Sequence, residues 1–403
     1  MSESAGAPAP RAHAGDDGWP AWRRVAIGGG GGMFVGIGLG RFSYTAMVPA
    51  LISSGQLTAL EAGYVGAINI TCFAVGAAIS VRLSERIGKF HALACAAILS
   101  IVALGASALS SSFAWLGFWR GLVGITAGII MVLSLALIAE TAPAHRRLVA
   151  ASFVFTGVGL AIGMTGILVP WLLAQGLPSA WLGLAACGLA AMTLALWGWT
   201  AAPDSAGRPP AVRTAPRGAH WTWPLYLLLA GHFFFSMAIV PHTLYWVDYL
   251  ARGLELGMAQ GGFHWSLVGV ASAAGPWIMA GLGWLLGTAW ALPLSFVALG
   301  LGIGAPLLSS AVGVLFASSL LFGAQPGLSA LMAARVRDLA DAEHMPRLMR
   351  AMILASAAGA VVAGAVLPLV YEATGSHVLI FGLGGAAMIL GGLLVAPWGG
   401  ARR

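Results

Sequence analysis

Arg82-Leu83-Ser84-Glu85-Arg86-Ile87-Gly88-Lys89 places four charges in eight positions. An apolar run over 60–81 precedes it and another over 90–110 follows it. Each run is about 20 residues long, the length that carries a helix across the hydrocarbon core of a bilayer. A short charged break between two such runs reads as a loop between membrane spans. The same pattern recurs along the chain, with apolar runs at 25–53, 60–81, 90–110, 113–139, 148–174, 178–201, 222–250, 260–287, 289–309, 311–334, 347–371 and 377–398. The reading is an all-α membrane protein of twelve spans, numbered here in chain order. Of the 403 residues 59% are hydrophobic and only 8% are charged. A soluble domain carries about 25% charged residues, so a soluble enzyme, a disordered chain and a nucleic-acid binder are excluded.

Residues 1–21, rich in Ala, Pro and Gly, read as a disordered tail. The stretch 202–221, with Asp204, Arg208, Pro209, Pro210, Arg213, Pro216 and Arg217, reads as a linker between two six-span halves, 22–201 and 222–403. Charge placement tests the count. With a cytoplasmic N-terminus, the tails and every second loop hold Arg11, Arg23, Arg24, Arg82, Arg86, Lys89, Arg146, Arg147, Arg208, Arg213, Arg217, Arg335, Arg337, Arg347, Arg350, Arg402 and Arg403. These are seventeen of the twenty basic residues. The opposite loops hold Arg252 alone, and Arg41 and Arg120 lie inside spans. This asymmetry obeys the positive-inside rule with both termini cytoplasmic, as for a bacterial-type inner-membrane protein.

The halves echo each other. Arg147-Leu148 opens span 5 and Arg347-Leu348 opens span 11, and both spans run to a late proline, Pro170 and Pro368. Pro49 in span 1 is matched by Pro241 in span 7. Duplicated twelve-span proteins are typically secondary transporters with the binding site between the halves at mid-membrane.

On these residues the chain resembles the major facilitator superfamily over 22–398. The segment Arg82 to Lys89 is similar to that family's basic loop between spans 2 and 3, with Glu85 in place of an Asp and Val81 in place of the first Gly. Arg120-Gly121 with Gly124 and Gly128 in span 4, and Glu140-Thr141-Ala142-Pro143 before Arg146 and Arg147, are similar to further motifs. The stretches from Gly38 to Thr45 and from Val240 to Asp248 look like the YbfB/YjiJ-like branch. The resemblance implies a solute transporter working by alternating access, with proton coupling. It also implies a cytoplasmic charge network of Glu85, Arg86, Glu140 and Arg147 that closes the inner gate.

Candidate site residues follow from the cost of polarity in a membrane. An arginine near a helix centre costs about 2.5–3.5 kcal/mol on insertion scales, and it usually meets a partner or a wet cavity. Arg41 lies deep in span 1 with Tyr44 on an adjoining face. Its guanidinium fork suits a carboxylate; the bland alternative is a structural arginine bonded to carbonyls near Gly40. Arg120 is shallower, and its resemblance-implied role is substrate binding or proton coupling. In span 7, His232, Ser236 and His242 share a polar stripe that is either packing or cavity wall. Asn69 in span 2 and Gln325, before Pro326-Gly327, complete the cavity candidates. Asp248 is a coupling candidate, although Arg252 four residues on offers a plain ion pair.

No nucleophile or metal constellation is present, so enzymatic chemistry and a metal are not expected. Cys72, Cys95 and Cys187 read as packing residues. The glycine-rich stretch from Gly28 to Gly40 lacks the strand and the G-K-[ST] of a nucleotide loop, so ATP is not an expected partner and no cofactor is implied. The expected function is secondary transport of a small organic solute, an anion by the two membrane arginines, with the lipid bilayer and that solute as partners and a monomeric state. A multidrug-type exporter is the nearest alternative, and a transport-inactive sensor or a membrane enzyme lies further off.

Overall fold

The computed structural model describes residues 19–202, 222–340 and 344–397. Apart from their edge residues, the expected tail, the expected linker and the C-terminal arginines lie outside these. The described chain is all-helical. Span 1 covers Ala21–Ser53, span 2 Ala59–Ile87, span 3 Lys89–Ala106, span 4 Phe113–Thr141, span 5 Arg147–Leu173 and span 6 Leu177–Trp199. The second half has span 7 over Trp223–Gly253, span 8 over Gly257–Leu286, span 9 over Thr288–Leu307, span 11 over Met345–Thr374 and span 12 over His377–Val395. Span 10 is a bent pair, Val312–Gly323 and Pro326–Leu339, meeting at 43°. The bend falls at Gln325-Pro326-Gly327, where a missing N–H cannot continue the ladder.

Short connections force the spans to run up and down. The chain therefore has a tail side, where span 1 begins and span 12 ends, and a far side. The loops repeat across the halves. Gly55, Gly88 and Gly176 take positive φ, and so do Gly257, Gly287 and Gly375, at separations of 202, 199 and 199 residues. Gly88 and Gly287 each form the whole tail-side turn into the next span, at φ +82° and +68°, which a side chain would strain. Glu61 lies in the first turn of span 2. Thr58 N–H donates to its carboxylate at 2.8 Å and Glu61 N–H donates back to the Thr58 hydroxyl at 3.2 Å, a reciprocal cap.

Hydrogen bonds carry the same repeat. Asn69 donates to the Arg120 carbonyl at 2.7 Å, tying span 2 to span 4. Ser272 donates to the Gly323 carbonyl at 3.0 Å, tying span 8 to span 10. Both partners are shifted by 203 residues. Thr45 on span 1 donates to the carbonyl of Thr243 on span 7, so near-equivalent positions of the two halves meet.

The halves join from the far side to mid-membrane. Span 5 lies on span 8 so closely that a Cβ on Gly166 would sit 2.3 Å from the Gly262 oxygen, and one on Gly159 2.4 Å from the Ala273 nitrogen. Ser266 adds a hydrogen bond to the Gly163 carbonyl at 2.9 Å. Span 2 lies on spans 7 and 11, with Gly63 against Tyr245 and Pro368, and Ala67 against Gly364. Spans 4 and 10 have no extensive packing on each other. Small residues permit these close approaches between membrane helices.

Gly159→Ala is expected to cost about 1–3 kcal/mol through overpacking against backbone, read as a lower melting temperature of the purified protein. Gly281→Ala, where a new Cβ meets nothing within 4 Å, is the control and should be neutral.

Candidate functional site

Span 1 is the most enclosed helix, with 83% of its apolar window buried. From Gly28 to Pro49 only Phe34 and Arg41 keep partial exposure. They are seven residues apart in sequence. Helices rather than lipid enclose span 1, so Arg41 meets neighbouring helices, Phe73 of span 2 among them.

The local helix is unusual here. Phe34–Phe42 is π-helical and Ser43–Ser53 returns to α-helix. Going from i→i+5 to i→i+4 bonding skips a carbonyl. Two side chains serve the carbonyls at that step. The Ser43 hydroxyl donates to the Leu39 carbonyl, and Arg120 Nη2 donates to the Gly40 carbonyl, with the Arg41 carbonyl 3.5 Å away. Arg120 is 0% exposed, and its guanidinium carbon lies 5.3 Å from the Tyr44 ring centroid and 5.6 Å from that of Trp181. The carbonyl-bound arginine near Gly40, considered for Arg41 from sequence, is thus Arg120 reaching over from span 4.

Arg41 is placed differently. Its guanidinium carbon lies 5.5 Å from the ring centroids of both Phe42 and Phe73, and Phe42 in turn meets Trp265 of span 8 at 6.2 Å. Its Nε is buried without a hydrogen-bond partner. Among the described residues no acid or carbonyl neutralises it. An uncompensated, partly exposed cation in an aromatic frame is a ready anion anchor.

The other candidates divide. Tyr44 is buried and donates to the Ala62 carbonyl at 2.9 Å. Asn69 is used as a clip between spans. His232 is partly exposed beside Phe235, 5.8 Å between rings, with Nδ1 unpartnered. Ser236 shares a hydroxyl–hydroxyl bond with Ser356 of span 11. His242 is 0% exposed, stacked on Trp246 at 4.5 Å and bonded to Ser318 at 2.9 Å. In this state it is enclosed within the second half and does not line a cavity wall. Gln325 sits at the bend of span 10 with 8% exposure.

At the tail side, Lys89 pairs with Glu140, linking the start of span 3 to the end of span 4. Lys89 is the partner that the expected network omitted. Glu85 and Arg86 are exposed and make no ion pair among the described residues, and Arg147 Nε donates to the Ala142 carbonyl at 3.2 Å. The second half keeps a copy of the pair with an uncharged donor, in which the Thr288 hydroxyl donates to Asp338, 199 and 198 residues further on. Glu140→Lys is expected to weaken the tail-side end by no more than about 1 kcal/mol, with recovery in the Lys89→Glu/Glu140→Lys double variant. Thermal unfolding of the three proteins checks this.

A cavity of about 570 Å³ lies away from all of these, between spans 8, 9 and 10. Val270, Ile278, Leu294 and Leu320 line it and are also among the exposed hydrophobics. Its wall is almost wholly apolar, so it suits an acyl chain better than a polar solute.

The family described as "Uncharacterised MFS-type transporter YbfB" matches residues 33–396. The chain belongs to this branch of the major facilitator superfamily. It is a multi-pass membrane protein of a transporter family and not an enzyme. The niacin transporter NiaP of Acinetobacter baylyi is 28% identical over 117 residues, which span 29% of this chain and only 26% of that protein. Among solved structures, a D-xylose-proton symporter superposes with a TM-score of 0.72 at 15% identity, covering 94% of this chain and 97% of that one. The inward-open xylose transporter XylE of E. coli gives 0.71 at 15%, covering 93% and 95%. A bacterial homologue of the human lysosomal transporter Spinster, inward-facing and unoccupied, gives 0.69 at 12%, covering 93% and 95%. These likenesses concern the fold.

Proposed function

We propose that this protein carries a small organic anion across a bacterial inner membrane by alternating access, with its termini in the cytoplasm and a proton gradient as the driving force. The observation that carries the anionic substrate is Arg41: a partly exposed guanidinium with no neutralising partner among the described residues, on the most enclosed helix. Two phenylalanines flank it, which favours a carboxylate attached to a flat or apolar body. Niacin, an aromatic carboxylate, is a sensible first probe, given the short similarity to NiaP. The halves 22–201 and 222–403 would rock about the far-side contacts of spans 1, 2 and 5 with spans 7, 11 and 8. With cytoplasmic termini, a seal at the far side makes the described state inward-facing, and uptake or efflux would follow from the gradient.

Two experiments test this reading. In proteoliposomes, labelled carboxylates are expected to exchange with trapped unlabelled ones, and neutral analogues are not; exchange of neutral and anionic solutes alike would reject the anion assignment. A periplasm-active reporter fused after Arg403 should stay silent, and a strong signal would reject the orientation.

A further inference from the structure

Asp248 is 0% exposed at the far side of span 7. Arg252 grips it with two hydrogen bonds, from Nε at 2.5 Å and Nη2 at 2.9 Å. A third partner comes from another helix: His377, the first residue of span 12, places Nε2 at 2.8 Å from the second carboxylate oxygen. Tyr371 on span 11 places its ring 4.6 Å from that of His377. Tyr249 adds a ring at 5.6 Å from His377. The cluster joins the far-side ends of spans 7, 11 and 12.

It also backs onto the seam between the halves. Tyr245, one turn before Asp248, lies 5.5 Å from Tyr371. The Tyr245 hydroxyl is buried without a partner and points at Gly63 of the first half, where a Cβ would come within 2.5 Å. Thr243, two residues earlier, accepts the hydrogen bond from Thr45. The ionisable groups around the carboxylate are therefore Arg252, Tyr245 and Tyr249 on span 7, His377 on span 12 and Tyr371 on span 11. Tyr44 on span 1 and Tyr64 on span 2 stand across the seam, and His264 on span 8 reaches it through Trp246.

We propose that Asp248 and His377 form a proton-binding site that controls the far-side seal. This rests on the transporter reading and extends it by naming where a coupling proton would bind. With Asp248 ionised, Arg252 and His377 hold the ends of spans 7, 11 and 12 together, and Tyr245 stays pressed on Gly63. A proton on the Asp248 carboxylate removes the charge that holds Arg252. The guanidinium then turns to water, span 7 is released, and the far side opens. By linkage the far-side-open state binds the proton more tightly.

The test needs no substrate, so it stands or falls apart from the anion assignment. In purified protein with Cys72, Cys95 and Cys187 replaced by Ala, the thiol introduced by Thr45→Cys reports far-side opening through its alkylation rate. Infrared difference spectra on acidification report carboxyl protonation. The expected result is a protonated-carboxyl band and faster alkylation that share one midpoint. Asp248→Asn should lose that band and alkylate at the acid rate at every pH. His377→Asn should move the shared midpoint by about one pH unit or more, since a unit is the scale of one lost charge–hydrogen-bond partner. Should Asp248→Asn fail to fold, His377→Asn carries the test. Alkylation that ignores pH in the parent protein, or a midpoint unmoved by His377→Asn, would overturn the proposal.

Discussion

Arg41→Ala is expected to yield a folded protein whose anion exchange falls by about 100-fold or more, the scale of truncating one partner of a desolvated charge pair. The melting temperature should hold or rise. Arg41 bonds to no carbonyl or acid among the described residues, so its removal orphans nothing, and a costly membrane charge disappears. Arg41→Lys should lose about 10-fold, because it keeps the charge and gives up the fork. Size-exclusion profile and melting temperature, read beside exchange in proteoliposomes, check both. A misfolded Ala variant would return Arg41 to a structural role.

Arg120→Ala is expected to behave in the opposite way. Arg120 bonds the Gly40 carbonyl at the end of the π-helical segment and fills the space between Tyr44 and Trp181. Its loss leaves a buried carbonyl without a donor and opens a cavity, together about 3–5 kcal/mol. Little folded protein should survive purification. Arg120→Met should do better than Ala, since it fills much of the volume while removing the buried charge. Equal yields for the Ala variant and the parent would show that the widened turn needs no arginine. The two arginines, read side by side from sequence as cavity groups, are thus expected to separate cleanly in fold and function.

What could be read from the residues follows physical rules of one dimension. Twelve spans came from run length alone, because hydrocarbon thickness sets the length of a helix, and most observed boundaries fall within a few residues of the apolar runs. The bend in span 10 was marked by Pro326-Gly327. The pairing of Asp248 with Arg252 was marked by their spacing of four. What could not be read depends on which helices touch. The π-helical segment has no sequence sign beyond glycines at Gly36, Gly38 and Gly40, which also fit ordinary close packing. Arg120 serving span 1, His377 closing on Asp248 and Ser319 shared by His264 and Trp246 each join residues more than fifty positions apart. His377 follows Gly375-Ser376 and reads as an ordinary loop residue. Lys89 looked like one of several basic loop ends until span 4 brought Glu140 beside it.

The central claim is that Arg41 holds an anionic solute between the halves. Thermal shift of the purified protein with niacin, benzoate and a panel of small carboxylates, set against their amides, tests it most directly. Binding to the folded state at one hundred times Kd adds about 2.7 kcal/mol, a shift well within reach of the measurement. The account predicts that at least one carboxylate raises the melting temperature of the parent protein, that its amide does not, and that Arg41→Ala keeps its fold but loses the shift. A carboxylate that stabilises Arg41→Ala as much as the parent, or stabilisation by amides alone, would contradict it.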